Sequence, residues 1–461
     1  MSHRSNSESL EQVKCRFKEA EGLPFSELLQ PEKVEHALGD LSTAFRKRIF
    51  GPAVTLWTFL SQVLSPDHSC REAVARLLAW RTAHGIEPCS ADTSSYCQAR
   101  QRLPLEAVKT LLRHSGHALQ EQAEAAWLWK GRHVKVVDGT SVTMPDTQAN
   151  QAAFPRRRNQ AHGVGFPIAR LVVIFSLACA AALELALGPM RGKKTGENTL
   201  LRSMMHVLEE GDVLLGDRLF DAYRDIAALR ERGVDILFRM NQSRRCDFRR
   251  GRWLGTLDHL VLWKKPNFNS ARLDRATYDA LPDQMEIREV RFQLYQNGFR
   301  PHQIVLVTTL LDPVAYPKED LADLYRERWH AELDLNALKT TLEMEHLRCK
   351  TPEMIQKEVW THFLAYNLMR ETMAQAAREH GALPRRLSFK GAVQTVNSFV
   401  PCLALVPEQR ELLWRTLMAA IASHQVGERP NRVEPRKLKN RKARYTYMTK
   451  PRNQERKRLS A

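Results

Sequence analysis

The chain has 461 residues, with 70 Lys and Arg against 52 Asp and Glu and a formal charge of +18. That length is too great for one compact core, and the charge excess points to an anionic partner, most simply nucleic acid. The longest apolar run, Leu171 to Leu183, falls short of the about 17–25 residues of a membrane span, and the eight cysteines show neither CxxC nor zinc-finger spacing, so membrane and disulfide-stapled secreted classes are excluded.

Residues 1–128 read as helical. Pro104 opens a segment in which Leu105, Val108, Leu111, Leu112 and Leu119 recur at helical spacing, and Val54, Trp57, Phe59, Leu60 and Leu64 mark an earlier helix. Between them, Arg100 and Arg102 sit among polar donors, where they could lie on DNA or simply decorate a helix end. The pattern then changes. A short strand, Val134 to Val137, runs into Asp138-Gly139-Thr140, and Leu171 to Leu183 reads as two buried strands joined by a tight turn. A basic cluster, Arg156, Arg157 and Arg158, precedes them. A helix over 198–210, a strand at Val213–Leu215 running into Gly216-Asp217-Arg218, a helix over 222–232 and a strand over 235–239 follow. Residues 241–300 are rich in Trp and Arg, with strands near Trp253, Leu260–Trp263 and Val290–Tyr295. Ile304–Thr309 resumes a buried strand, a helix begins near Lys318, and later helices cover 355–380 and 405–422. Arg429 to Arg458 carries thirteen Lys and Arg against two Glu, a composition expected to lack its own fold until it meets a partner. Alternating strands and helices define a mixed α/β sheet with helices on its faces.

Chemistry concentrates in three places. Asp138 and Asp217 each follow an apolar run, at the predicted carboxyl end of a strand, where open α/β sheets bind ligands. The helix after Lys318 carries Tyr325, Arg328, Glu332 and Lys339, which fall within an arc of about 60° at 100° per residue. An apolar stripe, Leu324, Leu335, Leu338 and Leu342, lies beside them. Read singly, each feature has a plain structural account: Asp-Gly is a turn signal, and Arg328 with Glu332 is an i,i+4 surface pair. Together, three carboxylates without His or Cys suit a hard cation such as Mg²⁺. Two ions about 4 Å apart could serve an in-line phosphoryl displacement.

Tyr325, Arg328, Glu332 and Lys339 follow one another as Tyr-x2-Arg-x3-Glu-x6-Lys. With Val137-Asp138-Gly139-Thr140 and Gly216-Asp217-Arg218-Leu219-Phe220 upstream, the chain from about residue 90 to 452 resembles the DDE cut-and-paste transposases of bacterial insertion sequences, in the group with the YREK signature. The resemblance implies a ribonuclease-H-like core at 129–395, interrupted by the β-rich insertion 241–300, between an N-terminal helical domain, 1–128, that recognises element ends and a helical, basic C-terminal region, 396–461. It implies Asp138, Asp217 and Glu332 as ligands of two Mg²⁺ (or Mn²⁺) ions, and Tyr325, Arg328 and Lys339 on DNA phosphates. It further implies nicking, hairpin formation, hairpin opening and strand transfer on double-stranded DNA, at terminal inverted repeats and target alike. The setting it implies is a synaptic homodimer in the bacterial cytoplasm at the nucleoid, away from membranes. In related transposases a Trp in the strand before the signature helix receives a flipped base; the matching position here is Ile304, so Trp253, Trp263 or Tyr295 must replace it or the hairpin step differs. A structure-selective endonuclease of the same fold, or a DNA-binding protein that has lost catalysis, are the competing readings.

Overall fold

The computed structural model describes residues 49–155, 164–192, 195–269, 273–294, 302–427 and 448–459. Arg156, Arg157, Arg158 and Tyr295, and the tail residues between Glu428 and Tyr447, lie outside the described residues. None of the described helices is long and apolar enough to cross a membrane.

Four helices open the described chain: α1 (Pro52–Leu64), α2 (Cys70–Ala83), α3 (Ser94–Arg102) and α4 (Leu105–Glu121). Pro52 occupies the first turn of α1 and Pro104 precedes α4, positions where proline's missing N–H costs nothing. The sheet then begins with β1 (Val134–Thr143), the short helix α5 (Gln148–Ala153), β2 (Ile168–Ser176) and β3 (Ala182–Pro189). It continues with α6 (Glu197–Met204), β4 (Val213–Gly216), α7 (Tyr223–Glu231) and β5 (Asp235–Arg239). Strand β2 is antiparallel to β1 and to β3, whereas β4 is parallel to β1 and to β5. The spatial order β3-β2-β1-β4-β5 is the ribonuclease-H-like mixed sheet expected of this sequence.

The insertion contributes β6 (Arg252–Gly255), β7 (Asp258–Lys264), α8 (Arg275–Asp279) and β8 (Gln284–Leu294), and the chain returns in β9 (His302–Thr308). These strands do not form a separate sheet. Strand β9 pairs antiparallel with both β5 and β8, so the order continues β5-β9-β8-β7-β6 and the sheet has nine strands. The signature segment follows as α9 (Lys318–Glu327) and α10 (Trp329–Asn336), then α11 (Pro352–Glu379), α12 (Phe389–Leu405) and α13 (Arg410–Ser423). Within the described part of the tail, Arg452–Leu459 forms the short helix α14.

Side-chain alternation sorts the core onto two faces. Val134, Val136, Val213, Leu215 and Leu237 point to the face covered by α1, α4, α11 and the signature segment. Val137, Leu214, Ile236 and Phe238 point to the other, covered by α6 and α7. Helix α11 is buried over most of its length, and the N-terminal helices α1 and α4 pack into the same apolar cluster as the sheet. Helix α12 was not foreseen from the sequence; the Ser388 hydroxyl caps its start by accepting the Gly391 N–H at 3.1 Å. It runs across residue 395, the boundary read from the sequence.

A buried ion pair fastens the insertion to the approach of α9. Arg288 on β8 is fully buried and donates to both Asp258 oxygens, at 2.9 and 2.6 Å, and to the Tyr316 carbonyl at 2.7 Å. Breaking a buried pair from one side strands the other charge, at a cost of about 3–5 kcal/mol. Arg288→Met should therefore lower the unfolding free energy measured in urea by about that amount. A loss below about 1 kcal/mol, the size of a surface pair, would show that this clamp does not hold the insertion.

Candidate active site

Parallel pairing sets the first two carboxylates level. Val134, Lys135 and Val136 of β1 face Val213, Leu214 and Leu215 of β4. Extending that register by two residues brings Asp138 opposite Asp217, on strands that run about 4.8 Å apart. Both aspartates share the alternation of Val136 and Leu215, so both belong to the face that carries the signature segment. Asp138 does not end its strand, contrary to the sequence expectation. The ladder to β2 continues past it from Lys135↔Ser176 to Thr143↔Ile168, and holds Asp138-Gly139 extended where the dipeptide alone reads as a turn. Asp217 directly follows the end of β4 at Gly216, and its Oδ1 accepts the Leu219 N–H at 2.8 Å.

The signature segment is not the single straight α-helix that the 60° arc assumed. Arg328 N–H donates to the Tyr325 carbonyl at 3.2 Å, and Ala331 N–H to the Arg328 carbonyl at 3.1 Å, a three-residue tightening between α9 and α10. Past Asn336 the backbone widens into a π-helical turn, Ala337–Thr341, closed by Leu342 N–H on the Ala337 carbonyl at 3.1 Å. The apolar stripe Leu324, Leu335, Leu338 and Leu342 is buried as expected. The ridge itself divides. Arg328 donates to Glu332 Oε1 at 2.8 Å and approaches Asp138 Oδ2 at 3.8 Å. Tyr325 is buried beneath, with the Arg328 guanidinium 6.0 Å from its ring centre, and burial pushes its phenol above the ordinary range. Lys339, carried by the π turn, pairs instead with Glu345 at 3.4 Å.

Helix α10 is held by a charge cluster the sequence did not reveal. Asp334 is buried and accepts from Arg370 of α11 at 2.7 Å and from Arg385 at 2.9 Å. Arg385 also donates to the Ser176 carbonyl at the end of β2, at 2.9 Å. This network ties the helix bearing Glu332 to α11 and to the sheet.

A fourth carboxylate was also missed. Glu197 opens α6 on the opposite face of the sheet, and a Cβ on Gly139 would come within 2.9 Å of its Cδ. The absence of a side chain at Gly139 is what lets Glu197 lie against β1 beside Asp138. Arg170 lies 3.5 Å from Glu197. Burial first, and the Asp217 charge second, raise the Glu197 carboxyl, while Arg170 opposes them. In the sequence, a lone Glu in a first helical turn reads as a favourable helix-dipole charge and nothing more. Trp329 was missed as well; it is 57% exposed next to Arg328.

The remaining candidates scatter. Arg100 is buried, with its guanidinium 4.9 and 5.0 Å from the rings of Phe59 and Tyr96 and 3.2 Å from Gln62 Oε1, so it faces the core of the N-terminal helices, not solvent. Arg102 is exposed. Trp253 is 72% exposed on the edge strand β6. Trp263 is buried, donates to Glu289 at 2.8 Å and stacks under Arg244 at 3.8 Å. Ile304 is buried in β9 opposite Phe292.

Residues 129–368 match the family described as the transposase DDE domain. The chain is 27% identical over 433 residues to the transposase InsG of insertion sequence element IS4 from Escherichia coli (strain K12), covering 93% of each chain. It is 39% identical over 61 residues to the transposase of insertion sequence element IS421 from Escherichia coli, 13% of this chain and 16% of that one. Among solved structures, the piggyBac transposase synaptic complex with hairpin DNA aligns over 90% of this chain and 87% of that chain, at 10% identity and a TM-score of 0.44.

Burial raises the Asp138 carboxyl from its ordinary 3.8 to about 6. Glu332 and Asp217 push the same way, while the Gly139 N–H and Arg328 pull it down. A carboxyl raised in the folded state destabilises the fold above its folded value and stops doing so below its unfolded one. Asp138→Asn should therefore stabilise the metal-free protein at neutral pH by about 1–3 kcal/mol. That advantage should shrink as pH falls through about 6 and vanish near 3.8. Paired thermal unfolding midpoints in chelator across this range check it; a variant no more stable than the parent at neutral pH would contradict the raised value.

Proposed function

This chain belongs to the transposase DDE domain family, and from that premise we propose that Asp138, Asp217 and Glu332 are the acids that hold its divalent metal. The protein is a DNA transposase, an enzyme of DNA cleavage and strand transfer, and its DDE domain implies dependence on a divalent cation. The observation that carries the residue assignment is the Arg328 guanidinium bridging Asp138 and Glu332, with the β1–β4 register setting Asp217 level with Asp138.

The donor set fits a hard cation. Its ligands are all carboxylate oxygens, and the acids already raise one another's proton affinity at Asp138, a repulsion that a bound cation removes. We assign two Mg²⁺ ions, with Mn²⁺ able to substitute. When bound, such ions would activate the attacking oxygen and stabilise the leaving oxygen at phosphorus. Asp138 and Asp217 contribute from the rigid sheet and Glu332 from α10. With the acids neutralised, Arg328 is free to turn a forked, charge-assisted contact onto a phosphate. Tyr325 braces that guanidinium from below, and Lys339 supplies a further point charge once drawn from Glu345.

The same site then serves four displacements in turn: nicking to expose a 3′-hydroxyl, hairpin formation, hairpin opening and attack on target DNA. Ile304 is buried and aliphatic, so it cannot stack on a base. The exposed indole of Trp329, one residue from Arg328, offers an aromatic plane at the site instead. We further assign end recognition to residues 1–128, non-specific phosphate affinity to the basic tail 429–461 and synapsis to a homodimer, because two element ends must be joined.

Glu332→Gln keeps the size of the side chain and removes the charge a cation needs. It should slow nicking of a supercoiled plasmid bearing element ends by orders of magnitude, since metal positioning is worth several kcal/mol of transition-state stabilisation. End binding, measured in parallel, should persist. Nicking at the parental rate would refute the three-carboxylate assignment.

Glu197→Gln should act more mildly, as a neighbour of the ligands. The metal concentration for half-maximal nicking should rise about 10-fold. An unchanged metal requirement would leave Glu197 a packing partner of Gly139.

A further inference from the structure

Away from the active site, three side chains converge in the insertion. Cys246 lies in the loop after β5, His259 on β7 and Glu289 on β8. Their ligating atoms all fall within 4.8 Å of one another. The Cys246 Sγ to His259 Nε2 distance is 3.9 Å, and the His259 Nε2 to Glu289 Oε2 distance is 3.1 Å. Ligands on a tetrahedral Zn²⁺ at the usual bond lengths would stand about 3.6 Å apart for S and N and about 3.3 Å for N and O. We propose that Cys246, His259 and Glu289 form a binding site for a borderline-soft divalent cation of the Zn²⁺ class, separate from the active-site acids.

The groups around the three residues are arranged as a metal site requires. His259 Nδ1 lies 2.7 Å from the Arg250 carbonyl, and the other oxygen of Glu289 accepts the Trp263 indole N–H at 2.8 Å. An Nδ1–H given to a backbone carbonyl fixes the tautomer and leaves the Nε2 lone pair for a cation, the usual support of a ligating histidine. Without a cation, Nε2 of that tautomer faces a carboxylate oxygen, two acceptors in contact. Protonating His259 would relieve the contact, and a Cys246 thiol that burial and Glu289 keep protonated would then donate to Glu289. A cation accounts for all three groups at once. Binding releases the Cys246 thiol proton and any Nε2 proton to solvent.

Sequence spacing hides the site, because its ligands come from a loop and two strands, not from a zinc-finger pattern. Its effect is to staple the loop after β5 to β7 and β8. That loop also carries Arg244, which stacks on Trp263 at 3.8 Å and reaches Asp221 at 3.3 Å, and Asn241, whose N–H donates to Asp221 at 2.7 Å. The staple therefore fixes the loop that braces the segment beginning at Asp217.

The test uses the untagged full chain, stripped with chelator and reloaded with Zn²⁺ or Co²⁺. About one zinc per chain should survive gel filtration. The Co²⁺ form should show a near-ultraviolet thiolate-to-cobalt band, which the carboxylates of the active site cannot produce. Cys246→Ser should lose both the retained zinc and the band, while Cys70→Ser keeps them. Zinc should raise the thermal midpoint of the parent and of Cys70→Ser but not of Cys246→Ser, whose metal-free midpoint should equal the parent's and so report intact folding. No thiolate band in the parent, or a band that survives Cys246→Ser, would overturn the proposal and leave His259 and Glu289 as a buried hydrogen-bonded pair.

Discussion

The parallel pairing of β1 with β4, Val136 opposite Leu215, is the constraint on which the site depends. Two aspartates separated by almost eighty residues become neighbours because both lie two positions beyond that pair. A slip of one residue would turn one of them to the other face of the sheet. The slip is prevented by burial: Val134, Val136, Val213 and Leu215 fill one core, while Val137 and Leu214 fill the other. The apolar residues thus set the position of the charged ones, and the sheet carries the cost of holding two acids side by side. At Asp138 burial first, then the charges of Glu332 and Asp217, push the carboxyl up to about 6.

Glu332 reaches the pair by a different device. It stands on a segment that tightens at Arg328 and widens at Ala337–Thr341, so helix periodicity alone does not place it. Asp334, buried between Arg370 and Arg385, anchors the inner side of α10, and Arg385 extends that anchor to the end of β2. A buried carboxylate between two guanidiniums is costly to disrupt from either side. This rigidity suits the cation-binding role proposed for Glu332, because preorganised ligands lose little freedom when a cation binds.

The insertion belongs to the same mechanical unit. By pairing β9 with both β5 and β8, the chain extends its core sheet to nine strands instead of adding a detached module. Arg288 and Asp258 lock that extension to the segment entering α9, and the loop after β5 is tied back to Asp221. The insertion is thus tied by hydrogen bonds and ion pairs to the segments that flank two of the three acids.

Much of this was legible in the sequence, and the reason differs by feature. Apolar runs bounded by turn residues identified β2 to β5, because buried strands leave an unbroken hydrophobic signature. The helical spacing of Leu105 to Leu119 identified α4, and the spacing of Tyr325, Arg328, Glu332 and Lys339 carried the family resemblance. What the sequence by itself determined, then, was the kind of most elements and the chemistry they could carry. Only the tertiary structure decided which groups meet. Asp138-Gly139 stays extended because β2 pairs along it. Lys339 turns to Glu345 because a π turn carries it there, and Arg100 faces inward because Phe59 and Tyr96 offer it a buried aromatic pocket. Glu197 and the Cys246–His259–Glu289 cluster were invisible along the chain, since each is assembled from elements far apart in sequence. Periodicity records which face of an element is apolar, and contacts between elements follow from packing, which no local pattern encodes.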